Sequence, residues 1–342
     1  MNWRIVAFLA SLVPFLIIAI QFHIKPQDIF AVGMINFLAA FAAIMFKLFL
    51  QGIKFHYIVR TFHGSLESLW RTIFVRIGSE FVTMTTPMFV GGEVVRIYWM
   101  KKRGMSTAKA SWLGIFEIVT EVLAAGVLSI LAGISALVNG YIIIGVVVLA
   151  AAIPIVGLWV GLFFLSSKRT FHVPRTFCNL IIKFRKEKGI QYIEKTNEWM
   201  NDICVMSKEN FQSKQVKKVF FVTLMISFTA WGVYGVSFML IAESIRAIGP
   251  INSIFAVMAG NAIGNLPITV GGSGLTEFGI WTYLNHIGSF TLELPQNNVD
   301  WNTIIAWRIV TYQIPIPIAW LTVNRISLTR QNRKCVLSSI TK

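Results

Sequence analysis

Long apolar runs alternate along this chain with short polar or basic stretches, and their lengths predict helices throughout. Runs at about 3–22, 29–51, 110–138, 141–165, 218–243 and 302–324 each approach the ~20 residues that cross a hydrocarbon layer. A two-residue alternation of apolar and polar positions is absent, which argues against a barrel of strands. Pro14, Pro154, Pro315 and Pro317 fall inside these runs and predict kinks. Membrane helices tolerate such kinks because neighbours re-satisfy the freed carbonyls.

Two further apolar segments are broken in the middle. The first break reads Thr86-Pro87-Met88-Phe89-Val90-Gly91-Gly92-Glu93-Val94-Val95-Arg96, and the second runs from Asn265 through Pro267, Gly271, Gly272, Ser273 and Gly274 to Glu277. Proline removes a backbone donor and glycine loosens φ, so each stretch interrupts a helix. The pattern predicts two helical hairpins, 66–86 with 92–103 and 250–266 with 275–288. Inside a bilayer such breaks persist only when buried in protein or lining a wet cavity. A matched pair of them in the two halves of a chain points to a binding site for transported material.

Composition narrows the class. The 342 residues are 55% hydrophobic and 13% charged, with mean hydropathy +0.67, which excludes a soluble globular protein. Net charge is +16, yet the basic residues collect between apolar runs, where membrane orientation and anionic lipid explain them better than nucleic acid. Counting Lys54 and Arg60 in a linker at 52–65, Lys101, Lys102, Arg103 and Lys109 after the first motif, and the basic 166–217 connection, these segments fall on the cytoplasmic side. Segment 288–301 has no Lys or Arg and falls outside. The expectation is a multi-pass protein of the cell membrane with both termini cytoplasmic, the hairpins entering from opposite faces to meet tip to tip.

The expected fold class is therefore an all-α polytopic membrane protein with about six full crossings plus two re-entrant helical hairpins. It forms a single transmembrane domain over 1–342, with inverted-topology repeats at about 29–138 and 218–324. Residues 166–217 read as a basic, amphipathic cytoplasmic connection. The widely spaced Cys178, Cys204 and Cys335 give neither a disulfide framework nor a zinc site. No cofactor, metal motif or Walker loop is expected.

Charges at membrane depth are costly, about 2.5–3.5 kcal/mol each on insertion, so they face a cavity or a partner. Glu93, Arg96 and Glu277 lie in the motifs; Glu117, Glu121 and Arg308 lie in the crossings that follow them. The signs suggest Arg96 or Arg308 against Glu117 or Glu277, either as a ligand site or as structural ion pairs. Arg76 and Glu80 read as a structural pair, and Lys47 as a snorkelling side chain. Gly91-Gly92 and Gly271-Gly272-Ser273-Gly274 precede short helices whose free N–H groups favour an anion; the bland alternative is close helix packing. Gly-x-Ser-Gly also occurs in intramembrane serine proteases, but His286 sits on the same short helix as Ser273, poorly placed for a dyad.

At these residues the sequence resembles the lysylphosphatidylglycerol synthase transmembrane family of flippase-like membrane proteins. The resemblance rests on Pro-x-x-x-Gly-Gly-acidic-x-x-Arg from Pro87 to Arg96, on the stretch from Pro267 to Glu277, and on Glu117 and Arg308. It implies the membrane part alone, without the cytoplasmic transferase of bifunctional members. It further implies translocation of a polar, aminoacylated or glycosylated lipid between leaflets. Expected partners are membrane lipids with anionic or phosphate-bearing headgroups and a separate cytoplasmic lipid-modifying enzyme. The alternatives are a membrane-embedded lipid-modifying transferase and a membrane scaffold for such an enzyme; the chain reads as a transporter rather than an enzyme.

Overall fold

A computed structural model describes residues 20, 32–86, 91–166, 168, 170, 172–211, 213–243, 247–266, 268–269, 271–285, 301–323 and 325. The expected first crossing at 3–22, Pro14, the segment 288–300, His286 and the C-terminal tail lie outside them. So do Pro87 and Pro267 at the two breaks.

Among the described residues the chain is all helical. Five helices are long and apolar enough to cross a membrane. They are α1 (Met34–His63), α4 (Thr107–Val138), α5 (Ile142–Ser166), α7 (Lys214–Ala242) and α10 (Trp301–Val323). Between them lie two pairs of shorter helices, α2 (Leu69–Met84) with α3 (Gly92–Lys101), and α8 (Pro250–Gly264) with α9 (Leu275–Leu284). At 1.5 Å per residue, the 10-residue α3 and α9 reach about 15 Å, half of a ~30 Å hydrocarbon core.

Local chemistry sets the ends. α1 stops where Gly64, at φ +92°, turns its N–H back to the Arg60 carbonyl. Ser106 caps α4 by accepting from the Lys109 N–H, Ser213 caps α7 through Gln215, and Pro250 opens α8. The linker expected at 52–65 is not a linker. α1 runs twelve residues past position 51, because Gly52 through His63 continue its apolar face, burying Phe55, Ile58 and Val59. Lys54 is therefore an interior residue and not a loop charge.

α5 continues through Pro154. In α10 the helix widens to a π turn at Ile309–Gln313, where the Ile314 N–H reaches back five residues to the Ile309 carbonyl. Pro315, immediately after, has no N–H for the Thr311 carbonyl, which is the physical reason for a local change of register.

Each short pair packs antiparallel: Ser79 meets Arg96 while Thr83 meets Gly92, and Gly260 meets Gly279 while Gly264 meets Thr276. α1 packs along α7, α4 along α5, and α8 against both α4 and α7. One end is sealed by Phe55, Trp99, Trp112, Phe116 and Phe163, the other by Tyr234, Phe238 and Trp307. α5 leaves Val146, Val147, Ile153, Leu158 and Leu162 exposed on its outer side, an apolar surface suited to lipid. The connection after α5 is one helix, α6 (Arg175–Phe211), held on α4 by Trp199 Nε1 donating to Ser111 Oγ at 3.1 Å.

Candidate functional site

Helical spacing aligns the charges before tertiary contacts use them. On α2, Arg76 and Glu80 are one turn apart; on α4, so are Glu117 and Glu121; on α1, Lys47, Gln51 and Lys54 form a third stripe. Arg76 ties these stripes together. Its Nε donates to Glu117 Oε1 at 3.0 Å, its Nη2 to Glu121 Oε1 at 3.1 Å, and its Nη1 to Glu80. Lys54 Nζ donates to Glu121 Oε1 at 2.8 Å and to Ser227 Oγ at 3.2 Å. From α3, Arg96 Nε lies 3.0 Å from Glu117 Oε2, while its Nη1 donates to Ser79 Oγ at 2.9 Å and its Nη2 to Glu93 Oε1 at 3.2 Å.

The second half carries a smaller version with the signs exchanged. Arg308 Nε on α10 donates to Glu277 Oε1 on α9 at 2.7 Å. Its Nη2 donates to the Gly271 carbonyl at 2.8 Å, and its guanidinium lies 4.2 Å over the Tyr312 ring. Of the pairings the sequence left open, Arg96 takes Glu117 and Arg308 takes Glu277. All four residues are 1% exposed or less. Arg76 and Glu80 are paired as expected, but within a network that also holds Glu117 and Glu121.

The N–H groups that start α3 and α9 are not all free. Glu93 Oε2 accepts from the Gly91 N–H at 2.9 Å, and Glu277 Oε2 accepts from the Gly274 N–H at 2.8 Å. The expected anion position at each helix start is thus taken by the chain's own carboxylate, the favoured charge beside a helix N-terminus. Gly91 and Gly274 lead into these turns at φ 129° and 88°.

The two breaks touch. The Gly271 N–H donates to the Thr86 carbonyl at 3.2 Å, and Tyr312 Oη donates to the Met84 carbonyl at 2.7 Å. Gly271, at φ +56°, is held so closely that an added methyl would overlap both Tyr312 Oη and the Met84 oxygen. Gly92 is similarly enclosed by Thr83 and Ser79. Ser273 is fully buried, and among the described residues its Oγ has no hydrogen-bond partner.

Beside this contact lies a cavity of about 180 Å³, well above the ~10–15 Å³ that admits a single water. Its polar lining comes from Lys47, Gln51, Arg76, Glu80, Glu121 and Arg308, with Glu93, Asn261 and Asn265. Apolar side chains complete it, among them Val122 and Ala125 of α4 and Ile155 and Val156 of α5. Of the expected site residues, Glu93, Glu121 and Arg308 line it directly. Arg96, Glu117, Glu277, Gly91, Gly92 and Gly271 to Gly274 are not among its lining residues.

Lys47 corrects the snorkelling expectation. Its ammonium does not run to the membrane surface but lies 3.9 Å from the Tyr234 ring centre and 4.5 Å from that of Trp231, at the cavity. Tyr312, which joins the second half to the first break, was missed altogether. For Lys47, Gln51 and Lys54 a signal was present, since three polar residues at turn spacing in an apolar helix mark a buried stripe. Tyr312 had none, because only the fold brings it to Met84.

Outside the spans, Glu67 joins α1 to α2 and accepts from Arg71 at 2.9 Å and Arg103 at 3.1 Å. Burial alone would raise its pKa, but the hydrogen bonds and charges of the two arginines outweigh that and hold it below the usual carboxylate value.

Fold and site together define a polytopic α-helical membrane protein that keeps a charged cavity between two short helix pairs. The chain belongs to the lysylphosphatidylglycerol synthase TM region family, which matches residues 4–294. No curated protein matches the chain significantly. The family connects this membrane protein with lipids, through their modification or translocation.

Proposed function

We propose that the protein moves a lipid with a polar headgroup from one leaflet to the other, the headgroup passing through the cavity. The carrying observation is the cavity itself, lined by both charged and apolar side chains beside the contact between the two breaks. The charged side chains replace headgroup hydration, while acyl chains stay in the bilayer. On this reading α2–α3 and α8–α9 are re-entrant hairpins entering from opposite faces, and the halves are inverted repeats. Their short lengths, antiparallel pairing and sign-exchanged ion pairs support it. The basic α6 and both termini then lie on the cytoplasmic side of a cell membrane, where α6 offers a surface to a separate lipid-modifying enzyme.

The test is a leaflet-resolved assay in proteoliposomes with a fluorescent phospholipid and a membrane-impermeant quencher. Ala125→Phe fills the cavity from an apolar lining position without replacing a charged residue. It is expected to slow transfer about tenfold while the protein still melts as a folded protein. Undiminished transfer in that variant refutes the route; product formation in detergent without vesicles would assign the site to a transferase instead.

A further inference from the structure

Lys47 is the exception among the charges of the cavity. Glu80, Glu93 and Glu121 are each engaged by Arg76, Arg96 or Lys54, and Arg308 is engaged by Glu277. Among the described residues Lys47 has no ion pair. It lies over the faces of Trp231 and Tyr234, an attraction that positions an ammonium without neutralising it, while Glu80 and Glu121, each already bonded to another cation, act on it only from beyond ion-pair distance. Two neighbours are also unfinished. Among the described residues, Gln51, one turn along α1 and 4% exposed, has no donor at its Oε1, and the buried Trp231 Nε1 has no acceptor. All three line the same cavity. Buried polar atoms rarely go unpaired, and each such case needs an account.

Resting on the translocation reading, we propose that Lys47 and the Trp231 N–H form a seat for the phosphate of a lipid phosphodiester. The phosphate is the group that answers both an unneutralised cation and an orphan donor. The apolar side chains of α4 and α5 that line the cavity suit the glyceride part. The paired arginines are not needed for this contact; they keep the polar lining in place while Lys47 supplies the free charge. Because lysine is a compact, mobile point charge, it can release a phosphate as readily as it takes one, which a transfer route requires.

The experiment uses the full chain in detergent, titrated with dioctanoyl phosphatidylmethanol, with dioctanoylglycerol as the uncharged counterpart. Wild type should prefer the phosphodiester. Lys47→Met should weaken its binding about tenfold or more, as expected for loss of one charge-assisted hydrogen bond, and leave dioctanoylglycerol binding unchanged. Lys47→Arg should retain most of the affinity, which separates charge from fold, as should an unchanged melting temperature. Equal binding of the phosphodiester by wild type and Lys47→Met, or no preference over dioctanoylglycerol in wild type, overturns the seat. Competition by millimolar inorganic phosphate would assign a free anion as occupant and overturn the lipid source; failure to compete supports the headgroup. Lys47-dependent binding without leaflet transfer by wild type would sink translocation and leave the seat standing. Transfer and binding both indifferent to Lys47→Met would sink the seat alone.

Discussion

Gly271→Ala tests the contact between the two breaks. At φ +56° any side chain is strained, and here the methyl also meets Tyr312 Oη and the Met84 carbonyl. Gly104 supplies the control: its φ is +93°, and nothing lies within 4 Å of an added Cβ. Both substitutions change the unfolded chain equally, so that contribution cancels. Gly104→Ala should cost about 1–2 kcal/mol from backbone strain alone. Gly271→Ala should add about 1–3 kcal/mol of overpacking, reaching roughly 2–5 kcal/mol. Tyr312→Phe in the same background removes the hydroxyl, but the ring's Cε2 still lies 2.7 Å from the added Cβ and the Met84 oxygen belongs to the backbone and stays. The double variant should therefore remain well below Tyr312→Phe alone. Unfolding in mixed micelles with increasing dodecyl sulfate, followed by tryptophan fluorescence, measures all four. The reasoning fails if Gly271→Ala is no worse than Gly104→Ala, or if the double variant matches Tyr312→Phe.

Other outcomes follow from the ion pairs. Glu277→Gln cannot satisfy both Arg308 Nε and the Gly274 N–H, since one amide face is a donor. It should cost about 3–5 kcal/mol, more than the paired Glu277→Leu/Arg308→Met change, because a lone buried charge is worse than none; equal losses in the same unfolding assay would contradict this. Glu67 gives a pH signature. Its pKa is lowered in the fold, so its stabilisation is present above the ordinary carboxylate value of 4.5 and is lost as pH falls through the lowered one. The melting-temperature gap between wild type and Glu67→Gln should close on acidification. A gap that widens in acid would refute the assignment.

Much of the architecture was legible from residue order. Apolar runs located the long helices to within a few residues, and the glycine clusters located the starts of α3 and α9, because both signals are local. The end of α1 was misplaced because Lys54 looked like a loop charge; only Glu121 and Ser227, from helices far along the chain, make that position habitable. Lys47 was misread for a related reason. A lysine in an apolar run snorkels when its helix faces lipid, and nothing in α1 itself says that Trp231 and Tyr234 of α7 stand beside it.

By itself the sequence determined that this chain is helical, belongs in a membrane, and breaks two of its helices at glycine-rich turns beside charged residues. Those properties follow from hydropathy, periodicity and backbone freedom, which each residue carries with it. Tertiary structure alone decided which charges neutralise one another, which carboxylates fold back onto the glycine N–H groups, and which aromatic rings stand beside Lys47. Those outcomes depend on distances between helices remote in sequence, and a charge has no partner until the fold brings one within reach.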